Sequence, residues 1–446
     1  MISHFCTPAM KKILLFGAGK SATVLMDYLH ELCVAESWPI TIADQDMAQI
    51  QAKLPAGSPV LAKDINIHDD AARAALISEH EVVISLMPPA LHALVAKDCL
   101  ALRKHLLTAS YVDDGLRSMR DAIANAGILF LCEMGLDPGI DHMSAMQLID
   151  GIHAQGGVIH RFHSHCGGLV APESDDNPWH YKISWNPRNV VNAGKAGAVY
   201  QADGAVVQKT YAELFADAGA VSIPTIGELA FYPNRDSLSY MPLYRLENCR
   251  DFLRTTLRYP AYCRGWNAIV QLQLADDQTR YNFSQTAVRD FVQQHLATHQ
   301  LEWLWKDLLR DAELGLLLDD LGLMSDAIIP LQSGTAADVL QWLLETRLVL
   351  HPTDKDMIVM LHEIGYSLNG ANKQIQSSLV VKGTDALRTA MAKTVGLPLG
   401  IAAKLLIEGK IQLRGLQIPT LPEIYTPVLA ELEAMGICFQ ELTINN

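Results

Sequence analysis

The chain has 446 residues, 50% of them hydrophobic and 19% charged, with a formal net charge of -14. That length exceeds one hydrophobic core, so two or three domains of roughly 100–200 residues are expected. An acidic chain repels phosphate backbones, which excludes a general nucleic-acid-binding role.

The 8 cysteines are scattered, with no C-x-x-C pair, and read as free thiols in a reducing, cytoplasmic setting. The opening MISHFCTPAM has no basic segment followed by an apolar one, so no signal peptide is expected, and residues 1–9 read as a loose extension. No apolar run approaches the ~20 residues of a membrane span, so no membrane partner is expected.

In chain order, Lys12–Phe16 (KILLF) is a short buried strand that ends in Gly17-Ala18-Gly19. Ser21–Leu32 then spaces Val24, Leu25, Tyr28, Leu29 and Leu32 as one face of a helix. Pro39–Ala43 reads as a second buried strand, closed by Asp44. Strands follow at Val60–Ala62, Val82–Leu86, His105–Ser110 and Gly127–Cys132, with helices between them. Short apolar strands without alternation belong to a parallel sheet covered on both faces, so the first ~130 residues form a doubly wound α/β domain.

Gly17-Ala18-Gly19-Lys20-Ser21-Ala22 matches G-x-G-x-x-A between a strand and a helix. The first glycine permits the turn, the second lets a pyrophosphate approach the backbone, and the small third residue lets helix and strand pack closely. Asp44 sits where a carboxylate would accept from a ribose 2′-OH and repel a 2′-phosphate. Gln45 and Asp46 supply no arginine after it. The expected cofactor is therefore NAD, with NADP the alternative. A plainer role for Asp44 is to cap a helix starting near Met47. Ser85, Leu86, Met87 and Pro88, with Ala109 and Ser110, end later strands and are expected to line nicotinamide and ribose.

After Gly135 the texture changes. Residues 135–245 are rich in Gly, Pro, His, Asn and aromatics, as functional loops are. Arg250–His362 looks mostly helical, Ser377–Lys382 looks like a strand and Gly400–Glu408 like a helix. His163 and His165 share a strand face with no cysteine pair or H-E-x-x-H beside them, so no metal is expected there.

Several segments resemble the saccharopine dehydrogenase (glutamate-forming) family, the saccharopine reductases. They are Gly135–His142 (GLDPGIDH), Cys166–Ser174 (CGGLVAPES), Tyr232–Ser237 (YPNRDS), Thr256–Tyr259 (TLRY), Gly322–Ala327 (GLMSDA) and Thr394–Gly396 (TVG). The resemblance runs in one order along nearly the whole chain. It implies hydride transfer with a nicotinamide cofactor, interconverting saccharopine with L-glutamate and 2-aminoadipate 6-semialdehyde. It also implies an α/β fold: a Rossmann-type doubly wound domain plus a mixed α/β substrate domain with a helical insertion. The limits expected are 10–134 with 395–446 for the Rossmann domain, 135–249 with 363–394 for the substrate and dimerisation domain, and 250–362 for the insertion.

By the same resemblance, Asp137, Tyr111 and Cys166 stand near the reacting imine as catalytic candidates. Ser110, Tyr111, Asp137, Asn186, Arg235, Thr256, Leu257 and Arg258 are candidates for binding substrate. Arginine suits that task because its planar fork grips a carboxylate, and Arg235 is the leading clamp. On the cofactor side the resemblance adds Asp64-Ile65, as an adenine contact, and Leu136. Fungal members of the family carry an arginine just after the second strand and use NADP; Gln45 stands there here, which reinforces the expectation of NAD. Small-molecule substrates and a homodimer, the commonest soluble oligomer, complete the expected partners. The competing readings are a related amino-acid or carboxypolyamine dehydrogenase and a non-catalytic nucleotide sensor. The intact segments after Gly135 weigh against the sensor.

Overall fold

The structure is a computed structural model that describes residues 11–445. The expected N-terminal extension, residues 1–9, lies outside them. The described residues divide into two units. One reaches Asp150 and is completed by Leu387–Cys438; the other comprises Gly151–Ala386 and the chain from Phe439.

Among the described residues, the first unit builds a seven-stranded sheet. Its order is Gly415–Gln417, Leu129–Leu131, His105–Thr108, Val82–Ser85, Ile13–Phe16, Ile40–Asp44, Leu61–Asp64. Every pairing is parallel. The order reverses between Ile13–Phe16 and Val82–Ser85, the switch point where α/β sheets of this kind bind ligands at their carboxyl ends. Ile13–Phe16 is wholly buried, as a central strand covered on both faces should be.

Helix Ala390–Ile407 is long and apolar enough to cross a membrane by length and composition, which the sequence reading overlooked. It is mostly buried inside the fold. Its Gly396 and Gly400 lie where a Cβ would come within 2.9 Å of Leu25 and 2.5 Å of Tyr28, so the helix packs against Thr23–Glu36 at close range.

The second unit holds a ten-stranded mixed sheet among the described residues. Its main path runs Gly219–Ile223, Gly227–Pro233, Asp251–Arg258, Val158–Val170, Asp356–Leu368, Ala371–Lys382, Gln440–Asn445. Helices including Pro260–Gln271, Val288–His299 and Ala336–Arg347 bury an aromatic-rich core around Trp179, Tyr262, Trp266 and Phe291.

The observed boundaries differ from those expected. The first divide falls after Asp150 rather than at 134, because helix Ile140–Ala154 begins in the first unit. Residues 250–362 are not simply a helical insertion: strand Asp251–Arg258 and the start of Asp356–Leu368 lie in the large sheet. The last strand, Gln440–Asn445, pairs with Ala371–Lys382, so the C-terminal segment 395–446 does not belong wholly to the first unit.

Candidate functional site

The glycine turn opens at the switch point. Gly17 has φ +101°, and a Cβ there would stand 2.8 Å from the Leu86 carbonyl oxygen. A side chain at Gly19 would meet only open space, which leaves the backbone approachable. Lys20–Ala22 forms a 3₁₀ turn that feeds helix Thr23–Glu36, with Ala22 buried; Lys20 is exposed and Ser21 half-buried.

Asp44 does end its strand, but its carboxylate is engaged by the protein. One oxygen accepts from the Ala18 amide at 2.7 Å and the other from the Asp46 amide at 3.0 Å. Asp46, not Asp44, caps helix Met47–Lys53, accepting from Ala48 and Gln49. Sequence reasoning missed Lys53. Its buried ammonium donates to the Gly19 carbonyl at 2.6 Å and also to that of Ala18. Burial lowers its pKa while the charge of Asp44 pulls the other way. Asp44 and Lys53 thus hold the Ala18 amide and the Ala18 carbonyl, on successive peptides of the turn. Asp64 lies beside Asp44 in register and is exposed, and Ile65 is buried, its amide bonded to the Asp44 carbonyl at 3.1 Å.

At the ends of the next strands, Ser85 is buried and Leu86 and Met87 half-buried; Pro88 opens helix Pro89–Ala101. Ser110 and Tyr111 are half-buried, as is Ala109, whose Cβ would be crowded at 2.9 Å by any side chain at Gly135. The Tyr111 hydroxyl donates to the Asp137 carboxylate at 3.3 Å, so two of the three catalytic candidates meet. Asp137 rides on a turn closed by Gly135 N to Pro138 O, 3.0 Å, and buried Leu136 accepts from the Asp141 amide at 3.0 Å. Behind it, buried His142 hydrogen-bonds Glu133 at 2.9 Å, and Glu133 accepts from the Val112 amide at 3.1 Å. His142 closes the Gly135–His142 segment, but its pairing with Glu133 carried no sequence signal.

His92 was also missed. Its ring lies 2.8 Å from the Ser85 hydroxyl and 2.8 Å from that of Ser110. Burial pushes its pKa down to about 4, with Asp113 acting weakly upward. The unfolded imidazole takes a proton below about pH 6.5 that the fold refuses, so this contribution to stability is whole above that pH and is lost as pH falls toward 4. Wild type should therefore lose about 2 kcal/mol to this group between pH 7.5 and pH 5. In urea denaturation, His92→Gln should flatten the pH dependence by that share; an unchanged slope would refute the assignment.

In the second unit, Cys166 is buried on strand Val158–Val170 with Thr256 opposite it in register. The next residue must be glycine, because a Cβ at Gly167 would stand 2.4 Å from the Leu257 carbonyl oxygen. Leu257 turns its side chain into a separate apolar cluster and offers that carbonyl to Arg258 Nη1 at 2.7 Å. The Arg258 guanidinium is 4% exposed and lies over the rings of Tyr181 and Tyr262 at 5.3 and 5.2 Å. Its Nε and the Tyr262 hydroxyl are buried without hydrogen-bond partners. No carboxylate among the described residues pairs with it. A buried charge is normally paired, and among the described residues this one faces rings and a carbonyl instead.

Arg235, the leading clamp by sequence, is exposed on a two-residue strand with φ +50°. Arg258, by contrast, is buried. Asn186 caps helix Pro187–Val191, accepting from the Arg188 amide at 2.9 Å, which is the plainer use of that residue. His163, His165 and Glu363 bring potential ligand atoms within 4.8 Å of one another. The Arg161 guanidinium stands 3.3 Å from the His163 ring and 3.9 Å from Glu363, and supplies the positive charge there.

A parallel sheet with a glycine turn at its switch point defines a dinucleotide-binding α/β protein, and the second unit adds a mixed sheet that carries the buried Arg258. Residues 13–131 match the saccharopine dehydrogenase NADP binding domain, and residues 135–437 the saccharopine dehydrogenase C-terminal domain. The chain belongs to the saccharopine dehydrogenase family.

It is 34% identical to the saccharopine dehydrogenase [NADP(+), L-glutamate-forming] of Saccharomyces cerevisiae, over 97% of this chain and 99% of that protein. The enzyme of the same name from Pyricularia oryzae is 32% identical, over 98% and 100%. The mitochondrial alpha-aminoadipic semialdehyde synthase of Bos taurus is 35% identical, but this chain spans only 47% of it. The apo structure of the S. cerevisiae enzyme superposes with a TM-score of 0.86 at 33% identity, covering 97% of this chain and 100% of that one.

These findings overturn the expectation of NAD. The matched domain is an NADP-binding one, and the relatives aligned end to end are named for NADP(+). The physical reason lies in Asp44: each of its oxygens already holds a backbone amide, with the Lys53 ammonium against the same loop. It braces the glycine turn as well as ending the strand.

Proposed function

We propose that the chain is an NADP-dependent saccharopine dehydrogenase, interconverting saccharopine with L-glutamate and 2-aminoadipate 6-semialdehyde. The observation that carries this reading is the likeness to the yeast enzyme along 97% of the chain. The open backbone at Gly19 fits a dinucleotide pyrophosphate, and the nicotinamide, when bound, accepts or returns the hydride.

The chain's own residues do the rest. Saccharopine gives up a proton from its secondary amine and a hydride from the adjoining carbon, and water cleaves the resulting imine to amine and aldehyde. Arg258 holds a substrate carboxylate, since its guanidinium is buried and lacks one. Tyr111 and Asp137, joined by a hydrogen bond, hold the proton that the amine gives up. Buried Cys166 and half-buried Thr256, opposite each other in the sheet, shape the substrate side. A homodimer in the cytoplasm is part of the proposal: two-fold dimers are the commonest closed assembly, and the seven free cysteines among the described residues suit a reducing compartment.

The test is direct. Saccharopine with NADP should raise absorbance at the reduced-nicotinamide band and yield glutamate in equal amount. No turnover with saccharopine, against turnover of another amino acid in the same screen, would sink the reading.

A further inference from the structure

Ser85, His92 and Ser110 form a chain of hydrogen bonds whose direction follows from burial. Ser85 ends strand Val82–Ser85, and Ser110 lies just past the neighbouring strand His105–Thr108. His92, on helix Pro89–Ala101, spans the two: Nδ1 is 2.8 Å from Ser85 Oγ and Nε2 is 2.8 Å from Ser110 Oγ. Ser85 is 0% exposed, and among the described residues His92 is the one side-chain partner of its hydroxyl. Thr108, also 0% exposed, sets its hydroxyl 3.4 Å from Nε2, a longer contact than the 2.8 Å ones of Ser85 and Ser110. A buried hydroxyl proton left without an acceptor is costly and the shorter contact decides, so Ser85 donates to Nδ1. A neutral imidazole that accepts at Nδ1 carries its proton on Nε2. Nε2–H then donates to Ser110 Oγ.

With one lone pair taken, Ser110 keeps its own O–H to give away. Ser110 is half-buried and sits beyond the carboxyl end of its strand, on the ligand-binding edge of the sheet. The Thr108 hydroxyl accepts from the Ser110 amide at 3.2 Å and holds the backbone in place. We propose that His92 is a positioning residue that fixes Ser110 as a hydrogen-bond donor to a carboxylate oxygen of the substrate. The ring's neutrality makes the chain directional, and burial keeps His92 neutral throughout the working range, its pKa being about 4. The identity of the anion rests on the proposed saccharopine activity; the direction of the chain does not.

Two measurements test this. In protein labelled with 15N-histidine, the His92 signal, recognised by its loss in His92→Gln, should report the Nε2–H tautomer between pH 6 and pH 8. An Nδ1–H tautomer overturns the proposal, whatever the substrate. In steady state, Ser110→Ala and His92→Phe should each raise KM for saccharopine about tenfold, the effect of a hydrogen bond to a charged group, with a smaller change in kcat. The double variant should be no worse than Ser110→Ala, and His92→Gln, whose amide can donate in place of Nε2–H, should recover most of the loss. Additive losses without rescue by glutamine would mark His92 as merely structural and overturn the proposal. A wild type that leaves saccharopine untouched overturns the functional reading and the carboxylate with it, while the tautomer still decides the direction.

Discussion

Arg258→Met should lower kcat/KM for saccharopine about a hundredfold or more, leave NADPH affinity within about twofold, and leave the free protein as stable as before or more so. Losing one partner of a desolvated, hydrogen-bonded charge pair typically costs about 2–5 kcal/mol. Arg258 has the features of such a partner, for its guanidinium is 4% exposed and faces two tyrosine rings and one carbonyl. Without ligand its charge has little compensation, so the native state carries a desolvation penalty. Methionine fills a similar volume, keeps contact with the rings and removes that penalty. Function and stability should therefore move in opposite directions, as expected where a site is built for a ligand rather than for the fold. Lysine should not restore activity, because a point charge lacks the planar fork. Thermal denaturation, NADPH titration and saccharopine kinetics on the same preparations decide it. A large fall in stability with KM unchanged would make Arg258 a structural residue.

The contrast between Arg258 and Arg235 marks what the sequence could and could not convey. Both stand in recognisable segments, and nothing in the letters distinguishes them. Burial does, and it depends on Tyr181 and Tyr262, brought to the guanidinium from 77 positions before and 4 after only by folding. The glycine turn was legible because its signal is local: strand, G-x-G-x-x-A, helix and acid follow in order. Asp44 stands at its strand end as the sequence indicates, but its bond to the Ala18 amide, 26 residues away, is not legible there, and the NAD preference drawn from it does not hold. His92 was invisible for the same reason, because parallel pairing of Val82–Ser85 with His105–Thr108 is what sets two serines on either side of its ring. Helix Ala390–Ile407 begins ten residues before the expected Gly400–Glu408 and runs through Gly396, Pro398 and Gly400, residues that locally disfavour a helix. In the fold the glycines allow close contact with Leu25 and Tyr28.

The two glycines of the turn should fail in different ways. Gly17→Ala should destabilise the free protein by about 2–4 kcal/mol and abolish measurable NADPH binding. At φ +101° an alanine is strained, which costs about 1–3 kcal/mol, and overpacking adds a comparable amount. The Cβ would stand 2.8 Å from the Leu86 carbonyl oxygen, which belongs to rigid backbone just after a central strand. Relief requires the two strands at the switch point to part, and the cofactor cradle would part with them. Gly19 has φ -65°, and a Cβ there meets no atom within 4 Å, so Gly19→Ala should fold with unchanged stability. Its methyl group would nonetheless occupy the open side of the turn, where the pyrophosphate must reach the backbone. NADPH affinity should fall by about tenfold or more, with thermal denaturation indistinguishable from wild type. Should Gly19→Ala bind NADPH as tightly as wild type, the pyrophosphate does not approach this face of the turn. The open space at Gly19 would then be solvent rather than a cradle.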